Sequence, residues 1–145
     1  MSLNNPQKEL PVILVAEDDP DDRFLIEQAF KTSGFLNTLF FVEDGEELLD
    51  YLLGREQFAA NKPTLPECLL LDLKMPRKDG REALWEIRQN PEFANLRILV
   101  LSTSDSENDK QYCAELGVSD YVTKPDSFKG LLALVEKTKS ICSSR

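Results

Sequence analysis

Four short stretches of the chain carry side chains that can do chemistry together. Glu17-Asp18-Asp19 follows the apolar run Val12 to Ala16, and Asp72 follows Leu69-Leu70-Leu71. Ser102 and Thr103 close the run Ile98 to Leu101, and Lys124 stands between Tyr121-Val122-Thr123 and Pro125. Carboxylates gathered at one place cannot all stay ionised without help. At roughly 4 Å and an effective dielectric of about 20, each ionised pair repels by about 4 kcal/mol. Three such pairs among Glu17, Asp18 and Asp72 cost on the order of 12 kcal/mol, as much as a domain's whole stability. The cluster must protonate, spread apart or hold a cation. Hard oxygen donors without nitrogen or sulfur favour Mg²⁺, with Ca²⁺ or Mn²⁺ as alternatives. Lys124 is the natural counter-charge, and the Ser102 hydroxyl can tie a turn or hydrogen-bond a phosphoryl oxygen. Asp19, Asp21 and Asp22 read more simply as capping residues at a helix start.

What is missing narrows the chemistry further. There is no histidine among the 145 residues, which removes Ser-His-Asp and Cys-His catalysis and histidine metal sites. Cys68, Cys113 and Cys142 are odd in number and widely spaced, which fits small buried thiols of a reducing compartment better than a disulfide framework. The net charge of -9 argues against a nucleic-acid footprint. No apolar run approaches the ~20 residues of a membrane span, and the N-terminus lacks a secretory pattern. The expectation is a cytoplasmic protein that binds neither nucleic acid nor membrane.

The elements that must position these groups alternate along the chain. Val12 to Ala16, Leu39 to Val42, Leu69 to Leu71, Ile98 to Leu101 and Tyr121-Val122 read as strands. Their unbroken apolarity suggests a parallel sheet covered on both faces. Between and after them lie amphipathic stripes at helical spacing: Leu25, Ile26, Ala29 and Phe30; Leu48, Leu49, Leu52 and Leu53; Ala83, Leu84 and Ile87; the weaker Tyr112, Cys113 and Leu116; and Phe128, Leu131, Leu132 and Val135. Five strand-helix units with right-handed crossovers make an α/β, doubly wound, five-stranded parallel sheet with five helices. The long connection from Arg55 to Pro66 reads as a surface loop. Residues 1–9 are expected to be disordered and 10–145 to form one domain. In such sheets ligands bind beyond the carboxyl ends of the strands, which is where all four chemical stretches fall.

The pattern resembles the receiver domains of two-component response regulators. The carrying residues are Val12 through Asp19, Leu70-Leu71-Asp72-Leu73-Lys74-Met75-Pro76-Arg77-Lys78-Asp79-Gly80, Leu101-Ser102-Thr103-Ser104, and Gly117 through Pro125. The match runs roughly from Pro11 to Ile141, with the motifs in order. The loop before the third strand, the Asn90-Pro91-Glu92 turn and Leu101 to Ser104 resemble the single-domain regulators of phytochromes. The resemblance implies a flavodoxin-like receiver fold and a phosphoryl group accepted on Asp72 from a sensor histidine kinase or a histidine phosphotransfer protein. It implies Mg²⁺ held by Glu17, Asp18, Asp72 and the Lys74 backbone carbonyl, Lys124 paired with Asp72, Ser102 as switch hydroxyl and Tyr121 as switch aromatic. It also implies a cis Lys124-Pro125 bond, and a loop after Asp72 shaped by Met75-Pro76 and Asp79-Gly80. Phosphoryl transfer to a carboxylate needs positioning and charge neutralisation, which these residue types supply.

Some positions depart from the common pattern. Glu17 stands where aspartate is frequent. Thr103 is bulkier than the usual alanine or glycine, and Lys74 occupies a position that tunes dephosphorylation; both bear on access and lifetime. Trp85 lies off its helix's apolar stripe beside Arg81, Glu82, Arg88 and Gln89, and reads as an aromatic packed along helical arginines or as a contact surface. With no output domain expected after the fifth helix, output would pass to a downstream partner or a homodimer through the last two helices and the last strand. The receiver would catalyse its own phosphorylation and dephosphorylation rather than act as a dedicated small-molecule enzyme. Competing readings are a Mg²⁺-dependent aspartyl-phosphate phosphatase or phosphotransferase, which usually carries aspartate where Lys74 stands, and a flavin binder, which Glu17-Asp18-Asp19 would repel. A docking module that works without phosphorylation is a third.

Overall fold

The structure is a computed structural model that describes residues 12–35 and 37–143. The expected disorder of residues 1–9 lies outside the described residues. Five strands, β1 (Val12–Ala16), β2 (Thr38–Val42), β3 (Cys68–Asp72), β4 (Ile98–Ser102) and β5 (Asp120–Thr123), alternate with five helices. These are α1 (Pro20–Thr32), α2 (Gly45–Leu53), α3 (Gly80–Gln89), α4 (Glu107–Glu115) and α5 (Phe128–Ser143). All strand pairings are parallel, in the order β2-β1-β3-β4-β5. The chain therefore reverses its winding between β1 and β3, where such sheets open a crevice at their carboxyl edge.

Successive strand residues point to opposite faces, so each inner strand feeds two cores. Leu14, Ala16, Leu69, Leu71, Ile98 and Val100 meet α2 and α3 on one face. Ile13, Val15, Leu70, Leu99 and Leu101 meet Ile26 and Phe30 of α1 and Leu134 and Val135 of α5 on the other. The two-faced burial expected of every strand holds for β1, β3 and β4. It fails at the edges: β2 alternates between exposed and covered residues, and no residue of β5 is fully buried. An edge strand has only one neighbour, and the helices here crowd the sheet's centre. Phe40 of β2 instead packs on Tyr51 and on Phe58, which a short 3₁₀ turn (Glu56–Phe58) in the long connection brings alongside.

Local signals set the helix ends. Asp19 caps α1, accepting from the Asp21 and Asp22 N–H groups with Pro20 as first helical residue. Asp79 and Glu82 form a reciprocal capping box at α3. Gly80 follows that cap for a steric reason. A Cβ there would overlap the Asp72 carbonyl oxygen and lie 2.6 Å from Leu73 Cα, so the loop after β3 folds back only over glycine. Cys68, Cys113 and Cys142 are buried, and none of them forms a disulfide. No described helix is long and apolar enough to cross a membrane.

Candidate functional site

The register aligns Ala16 with Leu71 and Asp72 with Leu101, so the strand ends release Glu17, Asp72 and Ser102 along one edge. Glu17 is 1% exposed and Asp72 5%. Between them sits the Lys124 ammonium, whose Nζ lies 2.9 Å from Glu17 Oε1, 3.2 Å from Asp72 Oδ2 and 2.8 Å from Asp22 Oδ2. The Lys124 N–H donates to the Ser102 carbonyl at 2.7 Å, which fixes where that side chain starts. Asp72 Oδ1 accepts from the Lys74 N–H at 3.0 Å, and Glu17 Oε2 accepts from the Asp19 N–H at 3.1 Å.

These contacts do not cancel the cost of burial. Burial, opposed by the Lys124 hydrogen bond and reinforced by the charge of Asp72, pushes the Glu17 carboxyl up to about 7. Burial likewise raises Asp72, against the Lys74 N–H and Lys124. Burial alone would lower Lys124, but hydrogen bonds to Asp22 and Glu17 and the charge of Asp72 outweigh it and hold the ammonium above its usual range. The rim is therefore short of positive charge even with Lys124 in place.

A divalent cation fits this shortage. One oxygen each of Glu17, Asp18 and Asp72 lies within 4.8 Å of the others, with Asp18 open to solvent. Glu17 Oε1 is buried and meets the Lys124 ammonium at 2.9 Å as an ion pair. An all-oxygen donor set with a half-open side suits a hard cation that keeps some of its waters.

Sequence reading assigned Asp22 to helix capping, but the structure brings it to Lys124. It lies in the first turn of α1, so its approach depends on the helix's rotation rather than on a strand end. The expected cis Lys124-Pro125 bond is corrected: no described peptide bond is cis. The trans form is favoured by about 0.5–1 kcal/mol for X-Pro, and the trans chain already carries Lys124 to all three carboxylates.

On the β4 side, Ser102 is fully buried and its Oγ accepts from the Ser104 N–H at 3.0 Å. Tyr121 is half-buried, and its hydroxyl donates to the Ser104 carbonyl at 2.9 Å. Thr103 is exposed at the strand end. An open groove of about 530 Å³ runs beside the rim, walled by Asp18, Lys74, Met75, Arg81 and Ser102. Trp85 is exposed on α3. Arg81 stacks over Tyr112 at 4.0 Å, and the Arg88 guanidinium donates to the carbonyls of Phe93, Leu96, Leu116 and Gly117.

A doubly wound sheet with this carboxylate-lysine edge has counterparts among known proteins. Residues 13–136 match the model of the response regulator receiver domain. The chain belongs to that family. It is 38% identical over 137 residues to response regulator Rcp1 of Synechocystis sp., covering 94% of this chain and 90% of that protein. The crystal structure of the Mn²⁺-bound form of Rcp1 superposes with a TM-score of 0.80, covering 90% of this chain and 92% of that one. The phosphorylated cyanobacterial phytochrome response regulator RcpA gives 0.83 at 33% identity, covering 93% and 95%. The five-stranded receiver fold, a place in two-component signalling and phosphorylation-dependent function thus hold for this chain as a family member. Receivers as a family work with sensor histidine kinases and bind Mg²⁺ through acidic residues, and the Glu17-Asp18-Asp72 cluster is compatible with that.

Proposed function

We propose that this receiver accepts a phosphoryl group on Asp72 from a phosphohistidine of a sensor kinase or histidine phosphotransfer protein. The observation that carries this reading is the setting of Asp72. It is buried at a strand end, with one oxygen held by the Lys74 N–H and the other facing Lys124, next to two further carboxylates. An Asp72 oxygen attacks phosphorus, the P–N bond breaks as the P–O bond forms, and the histidine leaves on its own protein. Lys124, already aimed at Asp72 Oδ2, follows the charge onto a phosphoryl oxygen. Glu17, Asp18, Asp72 and the Lys74 carbonyl would hold Mg²⁺. When bound, it supplies the positive charge that lets an anionic phosphoryl group approach a carboxylate. Lys74 stands where an aspartyl-phosphate phosphatase usually carries its general acid, which argues for a receiver over a turnover enzyme.

Ser102 and Tyr121 are the proposed switch. A phosphoryl group on Asp72 draws the Ser102 hydroxyl toward itself and away from the Ser104 N–H. Ser104 also holds the Tyr121 hydroxyl, so the two residues respond together. Residues 10–145 act as one receiver unit, and output passes to a partner or second copy through α4, β5 and α5. Thr103 and Lys74 set access and lifetime, and the cytoplasm is the proposed compartment.

The test is phosphorylation by acetyl phosphate with Mg²⁺, followed by intact mass. One phosphoryl increment is expected, labile to hydroxylamine, and absent in Asp72→Asn or after chelation. A hydroxylamine-stable increment that survives Asp72→Asn would overturn the assignment.

A further inference from the structure

Ser104 reaches in two directions. Its carbonyl holds Tyr121, while its Oγ donates to Asp109 Oδ2 at 2.7 Å. Asp109 in turn pairs with the Arg81 guanidinium, which lies over the Tyr112 ring, and the Tyr112 hydroxyl donates back to the Arg81 carbonyl at 2.9 Å. A continuous set of polar contacts therefore leads from the Ser102 hydroxyl across α4 to the outer face of α3.

That face carries a groove of about 500 Å³ walled by Asp79, Arg81, Glu82, Trp85, Glu86 and Tyr112. Its charge is one-sided. The positive charge of Arg81 is matched by Asp109, and Glu86 is paired with Lys78. Asp79 and Glu82 accept backbone N–H groups in the capping box and take part in no ion pair among the described residues. In the same groove the indole of Trp85, the chain's one tryptophan, is 51% exposed. An exposed aromatic ring in a groove whose Asp79 and Glu82 carboxylates stand outside any described ion pair is complementary to a cationic side chain, with guanidinium the better fit because it stacks and hydrogen-bonds at once.

We infer that the groove between α3 and α4 is a docking surface for a basic segment of a partner protein, with an arginine over Trp85, and that Ser104, Asp109 and Arg81 couple it to the rim. A second copy of this chain, with its net charge of -9, is the less suitable occupant. The coupling rests on the reading of Asp72 and Ser102 above; the docking does not. When Ser102 turns to a phosphoryl group, the Ser104 N–H loses its acceptor, the Ser102 Oγ. The grip of Ser104 on Asp109 loosens, and Arg81 is free to shift across Tyr112 and change the width of the groove.

The docking is tested by titrating a short oligoarginine peptide into the full chain, followed by calorimetry and Trp85 fluorescence. Trp85→Leu and Glu82→Gln should each weaken binding by about fivefold, the scale of one lost cation–π or charge contact. Glu136→Gln on α5 should leave it unchanged. Equal affinity in all three variants would show attraction to an acidic protein at large and overturn the site. Exposed positions are chosen, and circular dichroism checks the fold. For the coupling, beryllium fluoride with Mg²⁺ should shift wild-type affinity by at least about twofold. Ser104→Ala and Asp109→Asn should abolish that shift. A shift of the same size in both variants overturns the coupling. If wild type takes up no phosphoryl group from acetyl phosphate, it is the Asp72 reading that fails, and the peptide result still decides the groove.

Discussion

The acidic half of the rim and the half proposed to respond are built differently. β3, which delivers Asp72, is buried along its whole length, and α3 beside it buries Gly80, Ala83, Leu84 and Ile87. α4 is about as long but buries only Cys113, and β5 buries nothing completely. What holds α4 and β5 is largely polar: Ser104 to Asp109, Tyr121 to Ser104, Arg81 to Asp109, and Arg88 to the carbonyls that end α4. Each such bond contributes a net ~0.5–1.5 kcal/mol and can be exchanged for another. A buried leucine cannot be exchanged in that way. Mutually repelling carboxylates need a fixed frame, and a surface proposed to change suits a cheap one.

The largest effect expected from this contrast is in stability. Leu84→Ala empties space in a fully buried layer and should cost about 3–4 kcal/mol in urea unfolding. Cys113→Ala, the corresponding loss under α4, should cost about 1 kcal/mol. Native-state hydrogen exchange should show α4 amides opening well below the global free energy, and α3 amides close to it. Equal protection in the two helices would break the comparison.

The same contrast explains how much was legible in the sequence. Residues at strand ends are placed by topology, so Glu17, Asp18, Asp72, Ser102 and Lys124 could be gathered on one rim from apolar runs alone. Asp22, Arg81 and Asp109 sit on helices, where a residue's reach depends on the rotation and tilt of the whole element. For Asp22 the helix-start signal was real but belonged to Asp19, three residues earlier. Edge position was equally hidden: Leu39 to Val42 looks like an inner strand until the β2-β1-β3 order puts it outside. The trans bond at Pro125 depends on the local path of the chain, which the dipeptide does not encode.

A second, smaller effect concerns the rigid half and pH. Burial raises the folded Glu17 carboxyl from 4.5 to about 7, while the unfolded chain keeps the ordinary value. Between those values the folded protein holds the extra proton, so stability falls as pH rises and the penalty is complete above the folded value. In chelator the effect should reach about 3 kcal/mol across this window. Glu17→Gln should flatten that slope, and Mg²⁺ should oppose it in wild type by favouring the ionised cluster. A slope unchanged by Glu17→Gln would mean that the carboxyl is already ionised at acid pH and that the rim is not short of positive charge.

The smallest effect separates the two halves at the site itself. Lys74 belongs to the acidic half and walls the open groove beside Asp18, whereas Thr103 belongs to the responding half and stands exposed beyond it. On the proposed reading, both side chains restrict the path of a hydrolytic water to a phosphoryl group on Asp72. Truncation should therefore speed loss of that group in each case, and more at the position that lines the approach. Lys74→Ala should shorten the phosphoryl lifetime by about threefold, less than 1 kcal/mol of barrier, and Thr103→Ala by less. Decay of the phosphorylated species by intact mass, after removal of acetyl phosphate, reads both rates. A larger acceleration from Thr103→Ala would move control of the lifetime onto β4, where it would change with the switch. Slower decay in both would mean that these side chains guide the water rather than obstruct it.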